Sequence, residues 1–247
     1  GQLGNQNTSS YYPTYRVMSL GAANGAWIQN GMQPNTASVG GLISEALTWE
    51  TVRTWDIGLD WGLLNNRLTG SADYFVRYTK NMVGPANQMP NTLGIEVPNT
   101  NNCDLQTRGW EVALSWKDRL NYGVTVSLSD QVTYIDSYPG NKTGSISTYM
   151  AGKKTGLIWG FETVGIAKTQ EEMDNHIASL PKGGQDAIGS QWAAGDIMYK
   201  DLNGDGKISK GASTWDDHGD LKILGDSNPH YFYGIDLTAN YKGFDFR

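Results

Sequence analysis

The sequence predicts an all-β fold: antiparallel up-and-down strands forming part of a transmembrane β-barrel, with long outer loops and one short loop helix. Three observations predict it. Apolar and polar residues alternate with a period of two over several runs, as strand side chains do when they point to opposite faces. Short and long connections alternate along the chain, the parity of an up-and-down membrane barrel. Trp and Tyr gather at the ends of the runs, where membrane girdles place them. Composition agrees, with 31 Gly, 9 Trp and 13 Tyr against 5 Phe in 247 residues, a profile of strands and turns rather than of Leu-rich helices.

The first clear run sets Trp55, Ile57, Leu59 and Trp61 against Asp56, Gly58, Asp60 and Gly62. After the short Leu63-Leu64-Asn65-Asn66 connection, Leu68, Gly70, Ala72, Tyr74, Val76 and Tyr78 oppose Thr69, Ser71, Asp73, Phe75 and Arg77. The two segments read as an antiparallel hairpin. Trp110, Val112, Leu114 and Trp116 then oppose Glu111, Ala113 and Ser115, and Tyr122, Val124, Val126 and Leu128 oppose Gly123, Thr125, Ser127 and Ser129. The last run sets Tyr231, Tyr233, Ile235, Leu237, Ala239 and Tyr241 against Phe232, Gly234, Asp236, Thr238 and Asn240, and a turn at Lys242-Gly243 starts one more strand. Tight connections are read at Asn65-Asn66, Asp118-Arg119 and Lys242-Gly243, and long ones over 79–107 and 136–229. Alternation alone fits a soluble β-sandwich equally well; loop parity and end-weighted aromatics favour the membrane.

Several classes of function are disfavoured by the totals. The net charge of −6 is modest and Lys and Arg are dispersed, so no electrostatic footprint for nucleic acid is present. Cys103 is the only cysteine, which excludes an internal disulfide framework and a multi-cysteine metal site. The chain opens without the basic start and apolar core of a signal peptide. The most apolar stretch, near 156–167, is broken by Glu162 and too short for a membrane helix, whereas a membrane strand needs only about 9 to 11 residues.

The candidate chemistry lies in the second long loop. Asp201, Asn203 and Asp205 occupy positions one, three and five of a calcium loop, with Gly206 at the sharp turn and Lys207 offering a backbone carbonyl. Ala212 stands where the bidentate Glu belongs, so an ion would need a remote carboxylate from Asp196, Asp216, Asp217 or Asp220. The same residues equally suit an Asx-rich turn held by its own hydrogen bonds. Thr169 and Glu172 form a capping box, with Met173, Ile177 and Leu180 at helical spacing until Pro181. The expected role of that helix is packing. Trp159, Trp192 and Trp215 would either stack on sugars or fill packing gaps, the second being commoner. His176, His218 and His230 stand in unrelated contexts, no nucleophile motif is present, and no catalytic residue is assigned.

The residues also resemble a known family. Leu47-Thr-Trp49-Glu50, Ile57-Gly-Leu-Asp60, Asn66-Arg67-Leu68, Asp73-Tyr74 and Arg77-Tyr-Thr-Lys80 are similar to the barrel of the SusC/RagA-type, TonB-linked outer-membrane transporters of Bacteroidota. So are Gly109-Trp-Glu111, the stretch from Gly160 to Ile166, Gly195-Asp196-Ile-Met-Tyr199 leading into the acidic turn, and Gly225-Asp-Ser-Asn-Pro229 leading to Phe244. The opening Gly1-Gln-Leu-Gly4-Asn5-Gln6 also fits.

The resemblance implies an outer-membrane importer of oligosaccharides or peptides. It also implies a protein that is not an enzyme and would require no cofactor, Ca²⁺ being the one candidate ion. The implied partners are a SusD-like surface lipoprotein and, through an amino-terminal part, the TonB-ExbB-ExbD complex. Residues 1–247 would be one segment of the barrel, without the plug and the final strands. The polar faces, with Asp56, Asp60, Asp73, Arg77 and Glu111, would line the lumen or meet the plug, and the long loops would reach outside. The rival is a secreted, soluble carbohydrate-binding β-domain with a structural calcium loop, and a β-rich glycoside hydrolase stands further off.

Overall fold

A computed structural model describes residues 2–5, 15–22, 28–45, 47–86, 92, 97–118 and 122–247. Arg119 of the second tight turn, Gly1 and Gln6 of the opening motif, and most of 87–96 lie outside the described residues.

One antiparallel sheet dominates. Its strands are β1 (Gln2–Asn5), β4 (Glu50–Leu63), β5 (Leu68–Gly84), β6 (Thr100–Lys117), β7 (Tyr122–Ser137), β12 (Phe232–Tyr241) and β13 (Phe244–Phe246), neighbours in that order. A separate hairpin joins β2 (Met18–Ala22) to β3 (Asn35–Val39). The sheet is an open wall among the described residues, with no strand pairing β1 to β13. No described helix is long and apolar enough to cross a membrane.

Register decides what each face carries. Ile57 pairs with Tyr74 and Tyr74 with Trp110; Leu59, Ala72, Val112, Leu128 and Tyr233 form the next row. Trp61, Gly70, Leu114, Val126 and Ile235 form another, and Leu63, Leu68, Trp116, Val124 and Leu237 the last. Directly paired residues share a face, so these rows make one apolar surface, interrupted on β7 by Asp130, which pairs with Trp110. Gly70 belongs there because a Cβ would collide with the Trp61 indole lying across it.

The predicted strand pairings are present, the left-handed Leu64, Asn65 and Asn66 form the first tight turn, and Lys242-Gly243 joins β12 to β13. The long connection read over 79–107 is shorter, because β5 continues to Gly84 and β6 starts at Thr100. These extensions carry little apolar alternation, which is why the sequence pattern does not reveal them. Two register shifts near Thr79 and Met82 and polar contacts hold them. The Lys80 ammonium lies 3.1 Å from Asp104 and 3.2 Å from Asp136, tying three strands together.

Residues 138–231 form the second long connection, and they fold as a unit. Two ribbons, β8 (Leu157–Phe161) with β11 (Leu221–Asp226) and β9 (Thr163–Ile166) with β10 (Ile197–Tyr199), flank α1 (Gln170–Ala178). The Thr169 hydroxyl accepts the Glu172 N–H, and the Glu172 carboxylate accepts the Lys168 N–H, one residue before the expected box partner. Met173 is fully buried with Ala167 and Met198, and Ile177 and Trp192 pack on them. The helix is therefore a packing element, as its spacing predicts. Where β12 no longer covers β7, residues 152–155 take its place: Ile135 N–H donates to Lys153 O at 2.9 Å and Thr155 N–H to Thr133 O at 3.0 Å. Backbone groups at the top of β7 are thus satisfied.

Candidate functional site

The apolar rows run from Trp55 to Leu63 on β4. At roughly 3.3 Å per residue and a tilt near 40°, they make a band about 20 Å tall, close to the ~25 Å of outer-membrane barrels. Its side chains stand uncovered, with Leu59 at 65 % and Ile235 at 66 % of full exposure. An apolar surface of this extent, broken only on β7 by the His230-paired Asp130, is suited to lipid, not water.

The opposite face is polar. Gly58, Asp73, Glu111 and Ser129 form one row, and Asp60, Ser71, Ala113, Ser127 and Gly234 the next. The register puts Asp56, Asp60, Asp73, Arg77 and Glu111 together on this side, as expected. Hydroxyl pairs Ser115 with Thr125 and Thr107 with Thr133, each at 2.9 Å, staple neighbouring strands. Among the described residues the Leu64–Asn66 and Lys242-Gly243 turns and the paired ends Lys117 and Gly123 lie at one end of the wall, and the two long connections that follow β5 and β7 at the other. At the tight end Arg67 is ion-paired to Asp118 in the next turn and sits 5.0 Å from the Trp116 ring.

The acidic turn lies in the outer unit. Asp201 Oδ1 accepts the Gly204 N–H at 2.6 Å and Oδ2 the Gly206 N–H at 2.8 Å. Asn203 accepts from Asp205 and Asp205 from Lys207. Of the four remote carboxylates, only Asp220 joins them; the ligand oxygens of Asp201, Asp205 and Asp220 lie within 4.8 Å of one another. Asp220 is fully buried and accepts the N–H groups of Leu202 and Ser209, both at 2.8 Å. Asp196 caps Ala193, and Asp217 binds Ala212 and its own turn. Burial pushes the Asp201 carboxyl up, but the Gly206 and Gly204 amides outweigh it and hold the group below its ordinary value. Lys182 N–H to Gly206 O and Ile208 N–H to Gly184 O, both 2.8 Å, fasten this turn to the segment after α1.

Two features carry no signal in the sequence. Gln185 is fully buried, donates to Ile197 O at 3.1 Å, accepts the Tyr199 N–H at 2.6 Å, and meets His176 at 3.1 Å. His230 joins the outer unit to the wall, with Nδ1 2.7 Å from Asp130 on β7 and Nε2 3.2 Å from Asp226 on β11. Hydrogen bonds to Asp130 and then Asp226 raise the His230 pKa above its ordinary 6.5. A raised folded pKa gives stability that is fully present below the unfolded value and lost as pH rises through the folded one. The melting temperature of the outer unit should therefore fall as pH is raised through the window above 6.5. The same scan on His230→Asn should show that slope abolished. The tryptophans fill packing positions: Trp159 and Trp215 meet edge to face at 5.1 Å, and Trp192 covers the loop core.

A single wall with a lipid-type face, a polar face, tight turns at one end and a folded loop at the other defines a segment of an outer-membrane β-barrel. The profile of the TonB dependent receptor-like β-barrel family matches residues 4–246, and the chain belongs to that family, an outer-membrane one. It is 27 % identical to TonB-dependent receptor P26 of Formosa agariphila over 88 % of this chain and 21 % of that protein. It is also 27 % identical to TonB-dependent receptor SusC of Bacteroides thetaiotaomicron over 82 % of this chain and 19 % of that one. A chain of the RagAB peptide importer in its open-open state shares the fold, with a TM-score of 0.57 at 17 % identity, over 99 % of this chain and 24 % of that one. The chain thus spans about a fifth to a quarter of the length of these relatives.

Proposed function

We propose that this chain is wall and outer loop of a TonB-dependent importer that carries an oligosaccharide or peptide across the outer membrane. The observation that carries this reading is the division of one sheet into an uncovered apolar face and a polar face, with both long connections at the same end. The polar face would line the lumen or meet a plug, and residues 138–231 would stand outside, where a SusD-like lipoprotein caps the importer. Energy would come from the TonB-ExbB-ExbD complex. A secreted carbohydrate-binding domain gives the apolar rows nothing to cover them in water.

The test uses the natural gene product. It should sediment with membranes, require detergent for extraction, and co-purify with a surface lipoprotein, and deletion of its gene should abolish growth on one member of a panel of oligosaccharides and peptides. A product that stays soluble without detergent would overturn the reading.

Within it, Ca²⁺ would sit among Asp201, Asp205 and Asp220 with the Asn203 amide oxygen and the Lys207 carbonyl, an all-oxygen set of the kind Ca²⁺ takes. Each carboxylate oxygen that accepts an N–H keeps a second lone pair for an ion. Adding Ca²⁺ after chelation should raise the melting temperature of the outer unit in the wild type and leave Asp205→Ala unmoved.

A further inference from the structure

The geometry points to a binding site for a phosphate-bearing lipid headgroup on the apolar side of the wall, at its outer end, built by Arg108 and Lys154 over Tyr134 with Arg53 further along the same row. This rests on the barrel reading, in which that side faces lipid.

The register places the site. The outermost row of the apolar face is Trp55, Val76, Arg108 and Val132, and the row above it is Arg53, Tyr78, Gln106, Tyr134 and Lys154. Arg108 is thus the first cation met on leaving the apolar band, Asp130 in the row beneath it being held by His230, and Arg53 and Lys154 follow one step higher. Basic and aromatic side chains at that height meet headgroups rather than acyl chains.

The local chemistry leaves a charge unanswered. The Arg108 guanidinium lies 5.6 Å from the Tyr134 ring centroid and the Lys154 ammonium 6.0 Å from the same ring. Arg108 also donates through Nε and Nη2 to the Gln106 Oε1, at 3.2 and 2.9 Å. Gln106 is buried and neutral, so it orients the guanidinium without cancelling its charge. Among the described residues none of Arg53, Arg108 and Lys154 forms an ion pair with a carboxylate. Their neighbours do: Lys80, a row higher on the same face, is held between Asp104 and Asp136, and Arg67 at the tight end is paired with Asp118. Among the described wall-strand residues on this face, the cations without an ion pair stand at headgroup height, whereas Arg77 and Lys117 belong to the polar face.

Two cations over one ring repel each other, and an anion between them removes that repulsion. Guanidinium groups match phosphate oxygens in bidentate geometry. From β4 to residues 152–155 the cations span four strand spacings, about 19 Å. That width suits a headgroup with more than one phosphate, and Val76 and Val132 directly below offer acyl chains a surface. An amphipathic anion fits this arrangement better than a free one.

The natural gene product would be placed in nanodiscs of phosphatidylcholine doped with bisphosphorylated lipid A or its dephosphorylated form, and bound lipid read by native mass spectrometry. The wild type should retain the phosphorylated lipid in preference. Arg53→Gln, Arg108→Gln and Lys154→Gln together should reduce that preference by about tenfold or more, each basic group near an anionic surface being worth roughly fivefold. Removing three exposed loop charges, Lys168→Gln, Lys182→Gln and Lys210→Gln, should leave it unchanged, and excess inorganic phosphate should not displace the lipid. No preference in the wild type, or one that survives the triple change, overturns the proposal whatever the variant's yield. Displacement by inorganic phosphate overturns the lipid assignment, and a dimer that persists in phosphate-free lipid and is lost in the variant gives the face to a second copy instead. Failure of the barrel reading is distinct, because the product would then not enter nanodiscs.

Discussion

Asp220→Ala is expected to unfold the acidic turn while leaving the wall intact. The Asp220 carboxylate is fully buried, and its oxygens are the acceptors for Leu202 N–H and Ser209 N–H, with Asn203 N–H further off at 3.5 Å. Hydrogen bonds to a charged acceptor are worth about 1.5–3 kcal/mol each, and losing the acceptor strands buried donors, so the outer unit should lose roughly 3–5 kcal/mol. A small unit with a core of only a few buried side chains has little stability to spare. Hydrogen exchange should accelerate across 200–221, and limited proteolysis should cut there first, with exchange in β4 to β7 unchanged. Asp220→Asn keeps one carbonyl acceptor and should lie between. Exposed Asp216→Asn should shift stability by less than about 0.5 kcal/mol. If exchange at 200–221 were the same in Asp220→Ala as in the wild type, the carboxylate would not be what holds the turn.

The importance of Asp220 was only half legible in the sequence. The Asp201, Asn203, Asp205 and Gly206 spacing announces a turn closed by its own side chains, because the relevant hydrogen bonds are local. Four remote carboxylates were equally eligible to complete it, and the choice among them is made by how β11 returns beside β8, a tertiary fact. The wall is legible for the opposite reason. A period-two pattern over Trp55 to Trp61 is written in consecutive residues, and pairing such strands in register automatically assembles one apolar and one polar face. Where the strands rise above the apolar band the pattern stops, and the extensions of β5 and β6 went unseen although Lys80, Asp104 and Asp136 hold them firmly. Gln185 and His230 are the least legible of all. A single buried Gln and a His with two carboxylates distant in sequence have no spacing to betray them, only partners that folding brings near.

Assigning the two faces to lipid and lumen leads to the second large effect, a depth- and face-dependent response to a single arginine on β7. Leu128→Arg should prevent stable insertion, whereas Ser127→Arg should be tolerated. Leu128 lies in the middle apolar row, between Val112 and Tyr233, while Ser127 points to the other side, between Ala113 and Gly234. An arginine at the bilayer midplane of a barrel's lipid face costs about 2–4 kcal/mol, falling to about 0–1 near the interfaces, and lumen positions escape this penalty. Val132→Arg, in the outermost apolar row beside Arg108, should accordingly be mild. Urea midpoints of the natural gene product in liposomes, with heat-modifiable gel migration as the measure of folding, separate the three. A soluble sandwich that buries the apolar face against a second sheet makes a different prediction: Val132→Arg would then be as damaging as Leu128→Arg, because a buried charge without a partner is costly at any height. The gradient from Leu128 to Val132, rather than the damage at Leu128 alone, is therefore the measurement that distinguishes a membrane wall from a protein core.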